Sequence, residues 1–367
     1  MRIGILTGGG DCPGLNAVIR AVSKTLILHH DAEIIGFMDG YMGLVERHCK
    51  TLSYRDVSGI LNQGGTILGT HNKANPLSYF RRDGADVSDE VGAYYRELGL
   101  DGIIVIGGDG TMSISHAMSS KAMNFIGVPK TIDNDLVSTD RTFGFDTAVA
   151  IVTEAIDRLQ TTGQSHGRIM ILETMGRYAG WIAAEAGLAG GADVVLLPEI
   201  PFEIDEIVRV CNERDERQKF TIIVVAEGAK PKDGTMVVRE TIADSPDPIR
   251  LGGIGNYLAD QLKHRVDSEV RTTVLGHIQR GGTPTPSDRV LATNYGVHAA
   301  TLAAAGKWNQ MVALQDGKLT SVPLASVANK TRHVPLDSPL VRSAIAVGMS
   351  FGVPPAELAA GAVPATR

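Results

Sequence analysis

The sequence predicts an α/β protein of the doubly wound type, and three observations carry that expectation. Short runs that are apolar on both faces recur along the chain, glycine clusters follow them directly, and segments of helical period lie between. Runs without polar alternation mark parallel strands buried on both faces. Strand, glycine turn, helix and strand in succession is the βαβ unit. Glycine makes up 42 of 367 residues, about 11% against an average near 7%. The excess sits at the ends of the apolar runs rather than in linkers. Ligands of such folds bind beyond the C-terminal ends of the strands, which is where these glycines fall.

Taken in order, Ile3-Gly4-Ile5-Leu6 is the first strand, Gly8-Gly9-Gly10 its turn, and Asn16-Ala17-Val18-Ile19-Arg20-Ala21-Val22 opens a helix. Gly102-Ile103-Ile104-Val105-Ile106 is followed by Gly107-Gly108, and Phe125-Ile126-Gly127-Val128 by a polar turn. A helical period covers 148–159. Ile169-Met170-Ile171-Leu172, Val194-Val195-Leu196-Leu197 and Thr221-Ile222-Ile223-Val224-Val225 are further buried strands. The length suggests two domains, yet no Pro/Ser linker divides the middle, so two domains would share crossing segments. The end of the chain, from Gly352 through Val353-Pro354-Pro355 into Ala, Gly and Pro, has little to pack with and reads as a frayed tail over 353–367.

Composition removes several classes. With 43% hydrophobic and 21% charged residues the chain is not disordered. A net charge of −6 argues against nucleic acid, which needs clustered Lys/Arg. No uncharged apolar run reaches the ~20 residues of a membrane span. The N-terminal run turns to glycine before a secretory core could form. Cys12, Cys49 and Cys211 show no metal-type spacing. A soluble, reduced, cytoplasmic protein is expected.

Three clusters carry chemistry. Gly8-Gly9-Gly10-Asp11-Cys12-Pro13-Gly14-Leu15-Asn16 lets backbone N–H groups approach a phosphate at a helix N-terminus. It is neither a P-loop nor a clean GxGxxG, and a ligand-free strand-to-helix turn is the alternative. Gly107-Gly108-Asp109-Gly110-Thr111 offers a second cradle, with Asp109 able to hold a phosphate-bound Mg²⁺; a self-capped turn is the plain reading. Pro129-Lys130-Thr131-Ile132-Asp133-Asn134-Asp135 puts two carboxylates and a cation at a strand end. Phosphoryl transfer to an alcohol needs one carboxylate to take the hydroxyl proton and positive charge on the moving group. Asp133 and Lys130 could supply these, and a solvated acidic turn is the alternative. Arg168 and Arg271 each open a strand, and Arg177 and Arg280 follow those strands beside glycine turns, all four suited to phosphate oxygens. Any one of them alone reads as a surface ion pair, and His277 alone as a turn residue.

Together these motifs make the chain resemble the 6-phosphofructokinases, over about residues 1–294. The match rests on Gly9-Gly10-Asp11-Cys12-Pro13-Gly14-Leu15-Asn16, Gly64-Gly65-Thr66-Ile67-Leu68-Gly69 and Gly108-Asp109-Gly110-Thr111. It continues through Thr131-Ile132-Asp133-Asn134-Asp135, Met175-Gly176-Arg177-Tyr178-Ala179-Gly180 and His277-Ile278-Gln279-Arg280-Gly281-Gly282. The resemblance implies two doubly wound, Rossmann-like α/β domains in the phosphofructokinase fold. Their expected bounds are 1–144 with 279–329 for the donor, and 145–278 with 330–352 for the sugar phosphate.

The implied reaction is phosphorylation of fructose 6-phosphate at C1 with Mg²⁺ and ATP. By motif, Asp133 is the base, Asp109 the Mg²⁺ ligand and Arg177 the group that steadies the phosphoryl. Lys130 and Thr131 lie beside the base; Gly9, Gly10, Gly108, Gly110 and Thr111 flank the donor. Thr131, Met175, Gly176 and Glu227 would contact the sugar, with His277 and Arg280 completing the phosphate site. The positions of Arg168 and Arg271 reach it from a neighbouring subunit in the family, which implies a homo-oligomer, dimer or tetramer, with shared sites.

The donor side departs from the family pattern. Pyrophosphate-using members tend to carry Asp at the Gly110 position and Lys at the Lys130 position, whereas common bacterial ATP enzymes carry Gly at both. The pair here is mixed. A carboxylate at 110 would crowd and repel the α-phosphate of ATP, so its absence favours ATP and leaves pyrophosphate open. Where many ATP enzymes have an arginine after the Gly69 motif, this chain has Asn72, with Lys73 beside it as a substitute cation. A non-catalytic sugar-phosphate-binding subunit would lack the base or the metal ligand, and both are present. A nucleotide or lipid kinase would share only Gly-Gly-Asp-Gly-Thr. A dinucleotide oxidoreductase has the wrong glycine fingerprint.

Overall fold

A computed structural model describes residues 1–217, 220–234, 238–241 and 249–359. In chain order the first part carries β1 (Arg2–Thr7), α1 (Leu15–His30), β2 (Glu33–Phe37), α2 (Tyr41–Val45) and β3 (Cys49–Thr51). After a long loop come α3 (Ser88–Glu97), β4 (Gly102–Gly107), α4 (Asp109–Ser119) and β5 (Phe125–Pro129). The middle holds α5 (Phe145–His166), β6 (Arg168–Thr174), α6 (Trp181–Ala189), β7 (Val194–Leu196), α7 (Ile204–Arg217) and β8 (Thr221–Ala226). A two-stranded ribbon, β9 (Val238–Thr241) with β10 (Ile249–Leu251), precedes α8 (Ile254–Leu262) and β11 (Glu269–Val274). The last elements are α9 (Pro286–Ala304), β12 (Gln310–Gln315), β13 (Lys318–Pro323), α10 (Pro339–Ala346) and α11 (Pro355–Ala359).

The strands form two main sheets. The first has the order β13-β12-β5-β4-β1-β2-β3, and the second β11-β6-β8-β7. The second sheet is wholly parallel. In the first, only the edge strands β13 and β3 run antiparallel to their neighbours. The expected buried runs are strands with almost no exposed residue: β1, β4, β5, β6 and β8 are buried along nearly their whole length. The chain leaves the first sheet after β5, builds the second, and returns to the first through β12 and β13.

One hydrophobic cluster runs through both halves, joining Ile3, Val18 and Ile104 to Leu172, Trp181 and Val224. The first sheet changes winding direction between β1 and β4. The loops after those strands therefore diverge and leave a crevice at their carboxyl ends. Loops after β6, β8 and β11 bring the second sheet's carboxyl ends to the same crevice. No helix among the described residues is long and apolar enough to cross a membrane.

The expected frayed tail is corrected in part. Phe351 and Val353 are buried in the main cluster, the Glu203 N–H donates to the Gly352 carbonyl at 2.8 Å, and Pro355–Ala359 is helical. Lys232 also lies 3.2 Å from Glu357. Two aromatic or branched side chains were enough to anchor a stretch whose composition looked too poor to pack. Residues 360–367 lie outside the described residues.

Candidate active site

The first glycine cluster folds back on two cations. The Lys130 ammonium donates to the Gly10 carbonyl, and Arg280 donates through Nη1 to the Asp11 carbonyl at 3.2 Å. A Cβ at residue 10 would stand 2.5 Å from that same Nη1, so a larger residue here would push the guanidinium aside. The second cluster starts α4, with the Met112 N–H donating to the Gly108 carbonyl at 3.1 Å. Asp109, in the first turn, accepts at Oδ1 from the Asn329 N–H at 2.9 Å and the Ser113 hydroxyl at 3.3 Å. Its carboxylate is thus held from behind by a residue 220 positions away. At Gly110 a Cβ would meet no atom within 4 Å.

The loop after β5 is held by its own side chains. The Asp133 N–H donates to Thr131 Oγ1 at 3.1 Å, and Thr142 Oγ1 donates to the Thr131 carbonyl at 2.7 Å. Asn134, left-handed at φ 52°, accepts the Thr142 N–H at 3.0 Å. Asp133 Oδ1 is buried and finds no hydrogen-bond partner among the described residues. Burial, reinforced by Asp135, pushes the Asp133 carboxyl up to about 7. Burial also raises Asp135 and pulls the Lys130 ammonium down to about 8. An unsatisfied, proton-hungry carboxylate beside two cations is poised to take a proton.

Opposite, the loops after β6 and β8 interlock. The Glu227 N–H donates to the Thr174 carbonyl at 2.9 Å, and Gly228 N–H to the Gly176 carbonyl at 3.1 Å. Gln279, fully buried, accepts the Met175 N–H at 3.2 Å and donates to the Gly276 carbonyl at 3.0 Å. It fixes the single turn Gly276–Arg280 that carries His277 and Arg280. Burial, then the neighbouring Glu173, pushes Glu227 up to about 7, against the pull of Arg177 and Arg280. Asp133, Lys130, Glu227, Arg177 and Arg280 are therefore one electrostatic cluster, drawn from both sheets. His277 is exposed at its rim.

A cavity of about 350 Å³ opens beside them, walled by Gly9, Gly10, Asn72, Gly108, Gly110, Thr111, Lys130, Thr131 and Arg280. Lys73, expected to replace the missing arginine, is not part of this wall. His71 is, and it stacks on Phe80 with ring centroids 4.8 Å apart. Tyr41, Asn75 and Ser113 complete the polar lining. A second cavity of about 320 Å³ lies under α10 and α11. Its charges are already paired, Arg214 with Asp193 at 2.9 Å and Arg209 with Glu206 at 2.7 Å, so chemistry singles out the first.

Arg168 and Arg271 lie elsewhere. Both pair with Glu269, Arg168 at 2.5 Å, near the starts of β6 and β11. At ~3.3 Å per residue, Arg168 is about 20 Å and Arg271 about 10 Å from the ends of strands that lead into the site. Arg271 is the third residue of its strand, not the first. The chain does not bring these two to its own crevice.

Sequence reasoning missed His71, Tyr41 and Gln279. Gln279 stood inside a motif already singled out, and its lack of charge hid it. His71 and Tyr41 carried no local pattern. For Mg²⁺, the described residues hold no group of three or more His, Cys, Asp or Glu able to bind a metal. Asp109, close enough to act on Asp135, fits an ion held by one or two carboxylates plus phosphate oxygens.

A family model described as Phosphofructokinase matches residues 2–303. The chain is 54% identical to a Clostridium perfringens protein named ATP-dependent 6-phosphofructokinase 2, over 95% of this chain and 98% of that one. It is 49% identical to an Amycolatopsis methanolica protein named pyrophosphate–fructose 6-phosphate 1-phosphotransferase, over 91% and 96%. The structure of phosphofructokinase from Saccharomyces cerevisiae superposes with a TM-score of 0.75 at 29% identity. It covers 89% of this chain, which spans 45% of the yeast chain.

Proposed function

The chain belongs to the phosphofructokinase family, and from that premise we propose that it transfers the γ-phosphoryl of ATP to the C1 hydroxyl of fructose 6-phosphate. The observation that carries this reading is Asp133: a carboxylate with one buried, unpartnered oxygen, flanked by Lys130 and Arg280, beside a cavity of nucleotide-phosphate scale. Its Oδ1 accepts the C1 hydroxyl proton as that oxygen bonds to the γ-phosphorus, whose bond to the β,γ-bridging oxygen breaks and releases ADP. The transition state spreads charge over the phosphoryl oxygens, so catalysis comes from position and cations. Arg177 and Lys130 supply that charge, and Arg280 sits between the donor and sugar sides. Met175, Gly176, Glu227 and Thr131 line the sugar. Glu227, protonated up to about pH 7, donates to a sugar oxygen below that pH. Asp109 holds Mg²⁺, which neutralises donor phosphate charge when bound.

In this reading, residues 1–144 with 279–329 handle the donor and 145–278 with 330–352 the sugar phosphate. Arg168 and Arg271 serve a neighbouring subunit's site in a homo-oligomer, and the cytoplasm is the compartment. Gly110 supports ATP, because the space a longer side chain would take is open. Lys130 supports pyrophosphate as a second reading, in keeping with a relative so named.

The test is formation of fructose 1,6-bisphosphate from fructose 6-phosphate and Mg²⁺ with ATP or pyrophosphate supplied separately. ATP alone is expected to work. Activity with pyrophosphate alone would make Lys130 outweigh Gly110 and the step reversible. No product with either would overturn the reading.

A further inference from the structure

The proposed base and the proposed phosphoryl cation ride on loops of different sheets, Asp133 after β5 and Arg177 after β6. One extended segment, residues 331–334, runs between the backs of these loops and bonds to both. Toward the base loop, Thr331 forms an antiparallel bridge with Leu136, and the Arg332 N–H donates to the Asp135 carbonyl at 2.7 Å. Its Nη1 donates to the carbonyls of Asn134 at 3.2 Å and Asp140 at 3.0 Å. Toward the other loop, Trp181 Nε1 donates to the Arg332 carbonyl at 3.0 Å, and the guanidinium lies 4.2 Å from the Trp181 ring centroid. His333 Nδ1 stands 2.9 Å from the Tyr178 carbonyl. The Val334 N–H donates to Glu199 at 2.8 Å, and the same carboxylate accepts the Gly180 N–H at 3.0 Å.

These contacts fall on the residues that directly follow Asp133 and Arg177, and most are made to backbone carbonyls. They fix where peptides lie, not which ligand is recognised. The segment lies outside the 2–303 stretch matched by the family model.

We infer that residues 331–334 are a strap that sets the spacing between the base loop and the phosphoryl-cation loop, with Arg332 as its positioning residue. The strap rests on the roles given above to Asp133 and Arg177. Arginine suits it because Nη1 bonds two carbonyls while the planar face of the guanidinium stacks on Trp181. A lysine keeps the charge but loses the stacking face. In-line transfer tolerates little misplacement: a shift of about 1 Å costs on the order of 100-fold. Loosening the strap should therefore lower kcat and leave substrate binding alone.

The test compares Arg332→Ala, Arg332→Lys and Trp181→Phe with Asp133→Ser in steady-state assays, each variant's melting temperature being recorded. Arg332→Ala is expected to lower kcat about 10- to 100-fold, with KM for fructose 6-phosphate and ATP within about threefold. Arg332→Lys should fall between it and wild type, and Trp181→Phe should fall in the same sense by less. Val341→Ala, in the buried face of α10, is the stability control: a lower melting temperature with kcat intact. Should Arg332→Ala not fold, kcat of the other two strap variants decides. Wild-type kcat in the strap variants, with Asp133→Ser dead, overturns the strap alone. A raised KM at unchanged kcat overturns it as well. Wild-type-like turnover of Asp133→Ser overturns the base and the strap together.

Discussion

Asp133 and Glu227 hold their protons to about pH 7 in the folded chain, whereas unfolded carboxyls lose them near pH 4. Between those limits the folded state binds more protons than the unfolded one, so stability falls as pH rises from about 4 to about 7. The cost is fully present above pH 7, where the base must be ionised to work. Two outcomes are expected. Wild-type kcat/KM should rise with pH as Asp133 ionises, peak near 7 and fall above it as Glu227 loses the proton it donates to the sugar. Asp133→Asn, neutral at every pH, should melt higher than wild type at pH 8 and close to it at about pH 4, with turnover lost by at least about a thousandfold. Equal melting at both pH values would show that the carboxylate is not strained in the fold. Gly110→Asp makes the complementary case on the donor side. No atom lies within 4 Å of a Cβ there, so the fold should keep its melting temperature. Repulsion from the α-phosphate should raise KM for ATP about tenfold or more. Unchanged ATP kinetics would remove residue 110 from donor choice.

At the scale of elements, α8 shows how the sugar side is built. Glu173, buried at the end of β6, accepts the N–H groups of Gly253 at 3.1 Å and Gly255 at 2.8 Å. It thereby caps the helix N-terminus with its carboxyl oxygens. The same carboxylate raises the neighbouring Glu227. Glu173→Ala leaves those N–H groups without their acceptor and should cost about 2–3 kcal/mol of stability, read by denaturant unfolding. It should also lower the apparent pKa of Glu227; an unshifted pH profile would uncouple the cap from the site. Nothing in the sequence marked Glu173, because a single acid inside Ile171-Leu172-Glu173-Thr174 reads as a strand end. The buried strands were legible because both faces are covered, which leaves a continuous apolar run. β2, β12 and β13 were not, since no glycine cluster follows them and β13, an edge strand, has no buried residue and no continuous apolar run. The cradles and the Asp133 loop were legible because turns at strand ends demand glycine and leave charge nowhere else to go. The strap was not, because its partners are about 150 to 200 residues away in the chain.

For the whole molecule, the two sheets share one core, so their relative placement is a property of the fold rather than of a flexible linker. That rigidity makes the position of Arg168 and Arg271 informative. Both face the far end of the second sheet, tied to Glu269, on an edge strand that leaves Val274 50% exposed and the following turn with Ile278 66% exposed. A rigid chain cannot swing them to its own crevice, so the role on the sugar phosphate proposed above requires a neighbour's site. This reading has a direct test in mixed oligomers. Arg271→Ala keeps its own Asp133 but offers the neighbour no guanidinium; Asp133→Ser lacks a base but still offers Arg271. Each homo-oligomer should be nearly inactive at low fructose 6-phosphate. Co-refolded together, they form hybrid interfaces in which an intact Asp133 meets an intact Arg271. Up to about a quarter of sites are then expected to recover if subunits mix at random and each site draws on one neighbour. Recovery in the mixture, with none on simply combining the folded homo-oligomers at times too short for exchange, establishes the shared site. No recovery at any ratio, with hybrids demonstrated by a tagged subunit, means Arg271 serves only the fold of its own edge strand.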